Sequence, residues 1–391
     1  MVGRGIPASA LALLLVAGPS VAFAPAAGAV SPANPARCAP PRGGAQVGES
    51  WGQRRLAFTG VWPLTRGDGV TVAVIDSGVD TRHPQVRVAR SIDLTGTGPQ
   101  DCVGHGTAVA GIIAGDDMRE IPFAGVAPKV RLISIKQTNS ETGDVGLLAK
   151  AIIRAADLRA DVVNVSIQAN DAPDLKSAVD YALSMDVVIV AAAGNIKKED
   201  GTPAPAYPAA YPGVLSVGSA GPDGKRTDFS NATTPVSVLA PGTSITSTWP
   251  GSGYRQDLEG TSYAAPYVAG VAALVRARHP NLDNVRVRRR IEITADGATG
   301  TGTGAGMVNP LLAVSEILPS EVVAIAPRQP DPLPPGVVRK AAPPDLQAIS
   351  LATTLTVVAI ALAALVTAVS LVVPLGRKRG WRPGRAKTAG E

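Results

Sequence analysis

The chain has 391 residues, 45% of them hydrophobic but only 4% aromatic, so one large domain or two smaller ones must be built around small aliphatic side chains. Its formal charge of +6 sits at the ends: Arg4 near the start, and Arg377, Lys378, Arg379, Arg382, Arg385 and Lys387 against Glu391 in the tail. The middle of the chain is close to neutral, which excludes nucleic-acid binding driven by net charge.

Residues 1–29 have the layout of a secretory signal: Arg4, an apolar run over 8–16, then small residues. Ala27-Gly28-Ala29 is the better cleavage site, because Pro25 follows Ala22-Phe23-Ala24. The apolar run is too short to span a bilayer, which takes about 20 residues. Residues 30–50 form a Pro/Gly-rich extension that carries Cys38. The chain has two cysteines, Cys38 and Cys102. An even count in an exported protein suggests one disulfide; two free buried thiols are the alternative.

From 51 to 318 the pattern alternates. "GVTVAVID" reads as a buried strand ending at Asp76, and "HGTAVAGIIAG" as a small-residue helix. "VRLISI", "ADVVNVSI" and "DVVIVAAAGN" are strands, separated by the helices "VGLLAKAIIRAADLR" and "PDLKSAVDYALSM". Strands follow over 214–219 and 236–249, then a buried helix, "TSYAAPYVAGVAALVRARHP". The charged helix "NVRVRRRIEITA" reads as a solvated surface face, not a binding patch. "GAGMVNPLLAVSEIL" closes the domain near 318. This alternation predicts an α/β fold: a parallel β-sheet flanked by helices on both faces, with function at the carboxyl ends of the strands.

Residues 319–347 are a Pro-rich linker, with eight prolines over 319–344. Residues 348–374 are nearly all apolar and long enough to be a transmembrane helix. The basic tail, 375–391, marks the cytoplasmic side of that helix. The body is then expected outside the cytoplasm, held at the cell membrane by a single pass.

Of the three histidines, His83 and His279 each precede a proline; His105 lies in "DCVGHGTAVAG", between two glycines at the start of a helix. Together with "VAVIDSGVD" and "GTSYAAPYVAG", it places Asp76, His105 and Ser262 in that chain order. A serine hydroxyl becomes a nucleophile when a base takes its proton, and a neutral imidazole suits that task near pH 7. A buried carboxylate fixes the imidazole tautomer and stabilises the imidazolium. Ser262 in the first turn of a helix has its own N–H aimed at a developing oxyanion, and Asn195 can donate a side-chain N–H to the same charge. Taken singly, the serine is an N-cap, and the aspartate and asparagine are turn residues. Jointly, around the one well-placed histidine, they point to nucleophilic catalysis. A lipase or esterase is disfavoured, because Ser262 sits in "GTSYA" and not in a Gly-x-Ser-x-Gly elbow.

These segments, with "GVAPKVRLISIK", "AAAGN" and "DFSNATTPVSVLAPGTSITST", resemble the subtilisin-like serine proteases over 51–318. "SWGQRRLAFTGVWPLTRGDGV", the signal, the linker and the terminal helix further resemble the mycosins, membrane-anchored subtilases associated with type VII secretion. The resemblance implies a catalytic triad of Asp76, His105 and Ser262, and an oxyanion hole of Asn195 and Ser262. It also implies a substrate-binding strand at Ser166, Ile167 and Gln168. There the family usually reads Ser-Leu-Gly-Gly; here Gln168 and Ala169 replace the glycines. Asp80 matches a calcium-binding position of some subtilases, but one carboxylate does not make a site of six to eight ligands, so no metal or cofactor is expected. Only 46 residues separate Ala29 from Asp76, too few for a folded pro-domain plus the first strand. The extension is therefore expected to wrap the body, tied at Cys102. The reading is a narrow-specificity serine endopeptidase that cleaves exported proteins. Its alternatives are a structural component of a secretion complex and a broad degradative protease.

Overall fold

The computed structural model describes residues 38, 40, 42–140, 143–196, 203–297, 300–322, 345–378, 380 and 381. The signal segment, the linker from 323 to 344 and the end of the basic tail lie outside them. The chain divides into two units, Met1–Val323 and Ala324–Glu391.

In chain order the first unit contains α1 (Trp51–Leu56), a short 3-10 turn (Phe58–Val61), β1 (Thr71–Asp76), β2 (Val88–Asp93), α2 (His105–Ala114), β3 (Arg131–Lys136), α3 (Val145–Asp157), β4 (Val162–Val165), α4 (Pro173–Ser184) and β5 (Val188–Ala192). It continues with β6 (Leu215–Ala220), β7 (Val238–Pro241), β8 (Ile245–Trp249), β9 (Gly253–Leu258), α5 (Thr261–Arg278), α6 (Asn284–Ile293), α7 (Pro310–Ser315) and α8 (Pro319–Val322). Seven strands form one parallel sheet in the order β2-β3-β1-β4-β5-β6-β7. Strand β1 lies between β3 and β4, so the connections diverge to either side of it and open a crevice at the strands' carboxyl ends.

Alternation along the central strands β1, β4 and β5 fills both faces. Val72 and Val74 of β1 join the layer of α2 and α5, while Ala73 and Ile75 join that of α3 and α4. Each such fully buried Val or Ile contributes about 1.5–3 kcal/mol relative to exposure. Helix α5 runs through the first layer, buried at every position from Tyr263 to Arg276.

Three features differ from the sequence expectation. The 236–249 region is two strands, and β9 follows, pairing antiparallel with β8. The short edge strand β2 is also new. Its residues are at most half-buried, so it lacks the apolar run by which the central strands are recognised. The arginine-rich α6 is not solvated throughout. The side chain of Arg290 is fully enclosed and donates to the carbonyls of Ala313 and Glu316 and to the carboxylate of Glu321. The first unit therefore continues past 318 through α8, because Arg290 needs the Glu321 carboxylate to neutralise a buried charge.

The β8–β9 hairpin packs on α2, where Ser247 Oγ donates to the Ala108 carbonyl at 2.7 Å and Thr248 Oγ1 to that of Thr107 at 2.8 Å. Near its cysteine the N-terminal extension is tied to the body by a backbone bridge and by the disulfide. Gly44 exchanges hydrogen bonds with Tyr254 of β9, at 2.7 and 2.8 Å, and Cys38 is disulfide-bonded to Cys102. Beneath the hairpin, buried His83 accepts from the Gln85 N–H at Nδ1 (3.2 Å), so Nε2 carries the proton donated to the Gly253 carbonyl (3.0 Å). Burial lowers the His83 pKa from its ordinary 6.5, outweighing the opposing pull of the Gly253 bond and Asp80. The folded state then binds fewer protons than the unfolded state below that value, so this contribution is present above pH 6.5 and is lost as pH falls through the folded-state pKa. Urea midpoints measured from pH 7.5 downward should fall more steeply for the wild-type chain than for His83→Gln. Parallel curves would show that His83 does not titrate on unfolding.

The second unit contains α9 (Leu346–Lys378), 33 residues with a mean hydropathy of 2.7 over its most apolar window and no buried residue. It is long and apolar enough to cross a membrane, and Arg377 and Lys378 occupy its last turn.

Candidate active site

Strand β1 delivers Asp76 to the crevice, 1% exposed. His105 is the first residue of α2, and its two glycine neighbours are required by contact. Gly104 has φ +96°, and a Cβ there would lie 2.3 Å from the Trp249 ring. A Cβ on Gly106 would lie 2.1 Å from the Gly78 carbonyl and 3.1 Å from the Asp76 side chain. The close approach lets His105 Nδ1 meet Asp76 Oδ1 at 2.7 Å, while the Ser77 N–H donates to the same oxygen at 2.8 Å. With an ionised carboxylate as acceptor, Nδ1 carries the proton of the neutral ring and Nε2 keeps its lone pair.

Asp101 is a residue the sequence reading missed. It is 2% exposed, and its Oδ1 accepts from Ser77 Oγ (2.9 Å), Val103 N (3.0 Å) and Gly104 N (2.7 Å). Its Oδ2 accepts from Thr107 N (2.8 Å) and Thr107 Oγ1 (2.6 Å). Asp101 thus satisfies the Thr107 N–H in the first turn of α2 and those of Val103 and Gly104 just before it, while Gly106 N donates to Ser77 Oγ at 3.0 Å, and so holds the turn that aims His105. Burial pushes its carboxyl pKa up, against the opposing pull of these hydrogen bonds. An aspartate three residues before a helix-opening glycine was the available signal.

On the other side, Gly260 (φ +145°) turns the chain into α5, and Ser262 follows in its first turn. A Cβ on Gly260 would stand 2.9 Å from Ser262 Oγ and 3.2 Å from Asn195 Nδ2, so both groups converge on one spot. The Asn195 amide is oriented by Thr261, whose N–H and Oγ1 donate to Oδ1 at 2.9 and 3.0 Å; Nδ2 is thereby turned toward Ser262. Ser166 Oγ donates to the Ser262 carbonyl at 2.7 Å and accepts from Asn164 Nδ2 at 2.9 Å.

His105, Ser166, Gln168, Asn195, Ser262 and Tyr263 line one cleft of about 650 Å³. Ile167 turns its side chain into the protein, 4% exposed, so of the three expected substrate-strand residues only Ser166 and Gln168 present side chains to the cleft. Asp80 uses both carboxylate oxygens on protein donors: Arg82 N and Nε at 3.1 and 3.2 Å, and Gly251 N at 2.8 Å. Burial works to raise its pKa, but these bonds and the Arg82 charge lower it. Among the described residues no group of three or more His, Cys, Asp or Glu is placed to hold a metal ion.

The family model described as the subtilase family, peptidase S8, matches residues 67–310. The chain belongs to the subtilase family. This subtilase is 39% identical over 385 residues to Mycosin-4 of Mycobacterium tuberculosis (strain ATCC 25618 / H37Rv), covering 85% of this chain and 82% of that protein. It is similar to the crystal structure of MycP1 with the N-terminal propeptide removed, at 34% identity and a TM-score of 0.64, over 70% of this chain and 98% of that one. The structure of the MycP3 protease from the type VII (ESX-3) secretion system matches at 37% identity and a TM-score of 0.62, over 70% and 92% of the two chains. Membership of this subtilase in the family supports a serine endopeptidase with protein substrates.

Proposed function

We propose that this subtilase is a narrow-specificity serine endopeptidase, anchored in the cell membrane by α9, which cleaves exported proteins outside the cytoplasm in connection with type VII secretion. The observation that carries the reading is the 2.7 Å bond from His105 Nδ1 to Asp76, with His105 and Ser262 lining one cleft. Ser262 Oγ attacks the scissile carbonyl carbon as His105 Nε2 takes its proton. The resulting oxyanion is met by Asn195 Nδ2 and the Ser262 N–H. The C–N bond then breaks, the amine leaves with the proton from His105, and water repeats the sequence on the acyl-enzyme. Asp76 stabilises the imidazolium in both halves. The cations at the end of α9 support a cytoplasmic tail and an extracytoplasmic body. The side chain of Gln168 in the cleft supports restricted specificity.

A fluorophosphonate probe tests the reading. Wild type should be labelled covalently, and Ser262→Ala and His105→Ala should not. A folded wild type that resists labelling would favour the structural role in a secretion complex. That second reading draws on Gln168 and Ala169 standing where the resembling family has glycines.

A further inference from the structure

We propose that Gln168 is a positioning residue for Asn195, anchoring from beyond the end of the neighbouring strand β4 the backbone that carries the oxyanion donor. The inference rests on the reading of Asn195 given above. Gln168 Oε1 accepts from the Asn195 backbone N–H at 3.0 Å. A backbone N–H can only donate, so the glutamine must present its oxygen there. The contact is close: a Cβ on Gly194 would lie 2.7 Å from Gln168 Oε1, so the amide lies directly over the Gly194–Asn195 peptide. That peptide follows a left-handed glycine, φ +94°. Its own carbonyl, that of Gly194, accepts from Asn231 N at 3.0 Å, and the next N–H along, that of Ile196, donates to the Phe229 carbonyl at 2.7 Å, so the Asn195 N–H is the edge of the peptide that Gln168 holds.

With Gln168 in place, Asn195 is gripped at both ends. Thr261 holds the side-chain oxygen and Gln168 holds the backbone nitrogen. A glycine at 168 has no group that reaches Asn195, and the N–H would face the cleft. The peptide would then be held only at its carbonyl, by Asn231, and a tilt at its Asn195 end would move Nδ2 from the point it shares with Ser262 Oγ. An oxyanion donor acts through preorganisation, so small displacements cost rate. The glutamine thus fills a role in the machinery as well as occupying cleft space. Gln168 is itself exposed, so its removal should leave the fold intact.

The test uses the full chain in detergent and a small alkyl fluorophosphonate, which carries no peptide side chain and so does not report subsite fit. Gln168→Gly should lower the maximal inactivation rate about 5–10-fold, the loss expected for one hydrogen bond, with the probe's KI and the thermal midpoint unchanged. Gln168→Glu keeps an acceptor oxygen and should recover most of that rate. Asn195→Ala should lower the rate about 10²–10³-fold. In that background Gln168→Gly should cost nothing further, because the group it positions is gone. A wild-type rate in Gln168→Gly, or the same loss with and without Asn195, overturns the proposal. Undiminished labelling in Asn195→Ala overturns the reading on which it rests.

Discussion

Asp76→Asn is expected to slow fluorophosphonate labelling of Ser262 by about 10³–10⁴-fold at pH 7, with little change in stability. The substitution is nearly isosteric. Oδ1 accepts from both Ser77 N and His105 Nδ1, while the buried Oδ2 has no partner among the described residues. An asparagine that satisfies both donors keeps its oxygen at the Oδ1 position and places its NH2 at the other. Geometry survives, but the neutral amide cannot offset the imidazolium that forms when His105 takes the serine proton. The alternative orientation sets NH2 against Nδ1 and forces the wrong tautomer. Second-order rate constants from pH 6 to 9, alongside thermal melts, decide the matter. A loss below about tenfold in a folded variant would show that Asp76 does not support the base.

Cys38→Ser should cost about 4 kcal/mol of stability in the body, the loop-closure value for a cross-link spanning 64 residues. The native structure gives this bond particular importance. Among the described residues, the extension's backbone pairing with the body is the Gly44–Tyr254 bridge. Cys102 directly follows Asp101 and is approached at 3.8 Å by Lys136 Nζ, which also donates to the Gln100 carbonyl at 2.7 Å. Yet the hydrogen bonds to the Asp101 carboxylate come from residues 77, 103, 104 and 107, none in the extension. The clamp on the His105 turn should thus survive loss of the disulfide in the folded chain. Urea unfolding should shift to a lower midpoint in Cys38→Ser, and wild type in reductant should shift equally. A change below about 1 kcal/mol would mean that the unfolded chain keeps the extension near the body without the bond.

The candidate site was legible where residues of the proposed chemistry coincide with the end of an element. Asp76 ends an apolar strand, His105 opens a small-residue helix, Asn195 follows a strand and Ser262 begins a helix. Local pattern marks such positions because glycines and strand ends interrupt the periodicity around them. The roles of Arg290 and Gln168 were not legible, because their partners lie 23 to 31 and 27 residues away in the chain; that of Asp101 had a local signal, its place three residues before Gly104, which a loop of polar residues does not set apart. Arg290 stands beside Arg286, Arg288 and Arg289 in α6, and only the return of the chain at Glu321 separates it from these neighbours.

Sequence alone determined the parallel α/β architecture, the order of most strands and helices, the apolar terminal helix and the candidate residues, since all of these are written in periodicity and local motif. Tertiary structure alone decided that β1 lies between β3 and β4, that Asp101 clamps the turn before His105, and that Gln168 reaches Asn195. Strand order and the bond from Asn195 to Gln168 depend on segments far apart in the chain meeting at one crevice, and the Asp101 clamp depends on a turn that brings residues 103, 104 and 107 back to one carboxylate; neither leaves a periodic trace in the chain.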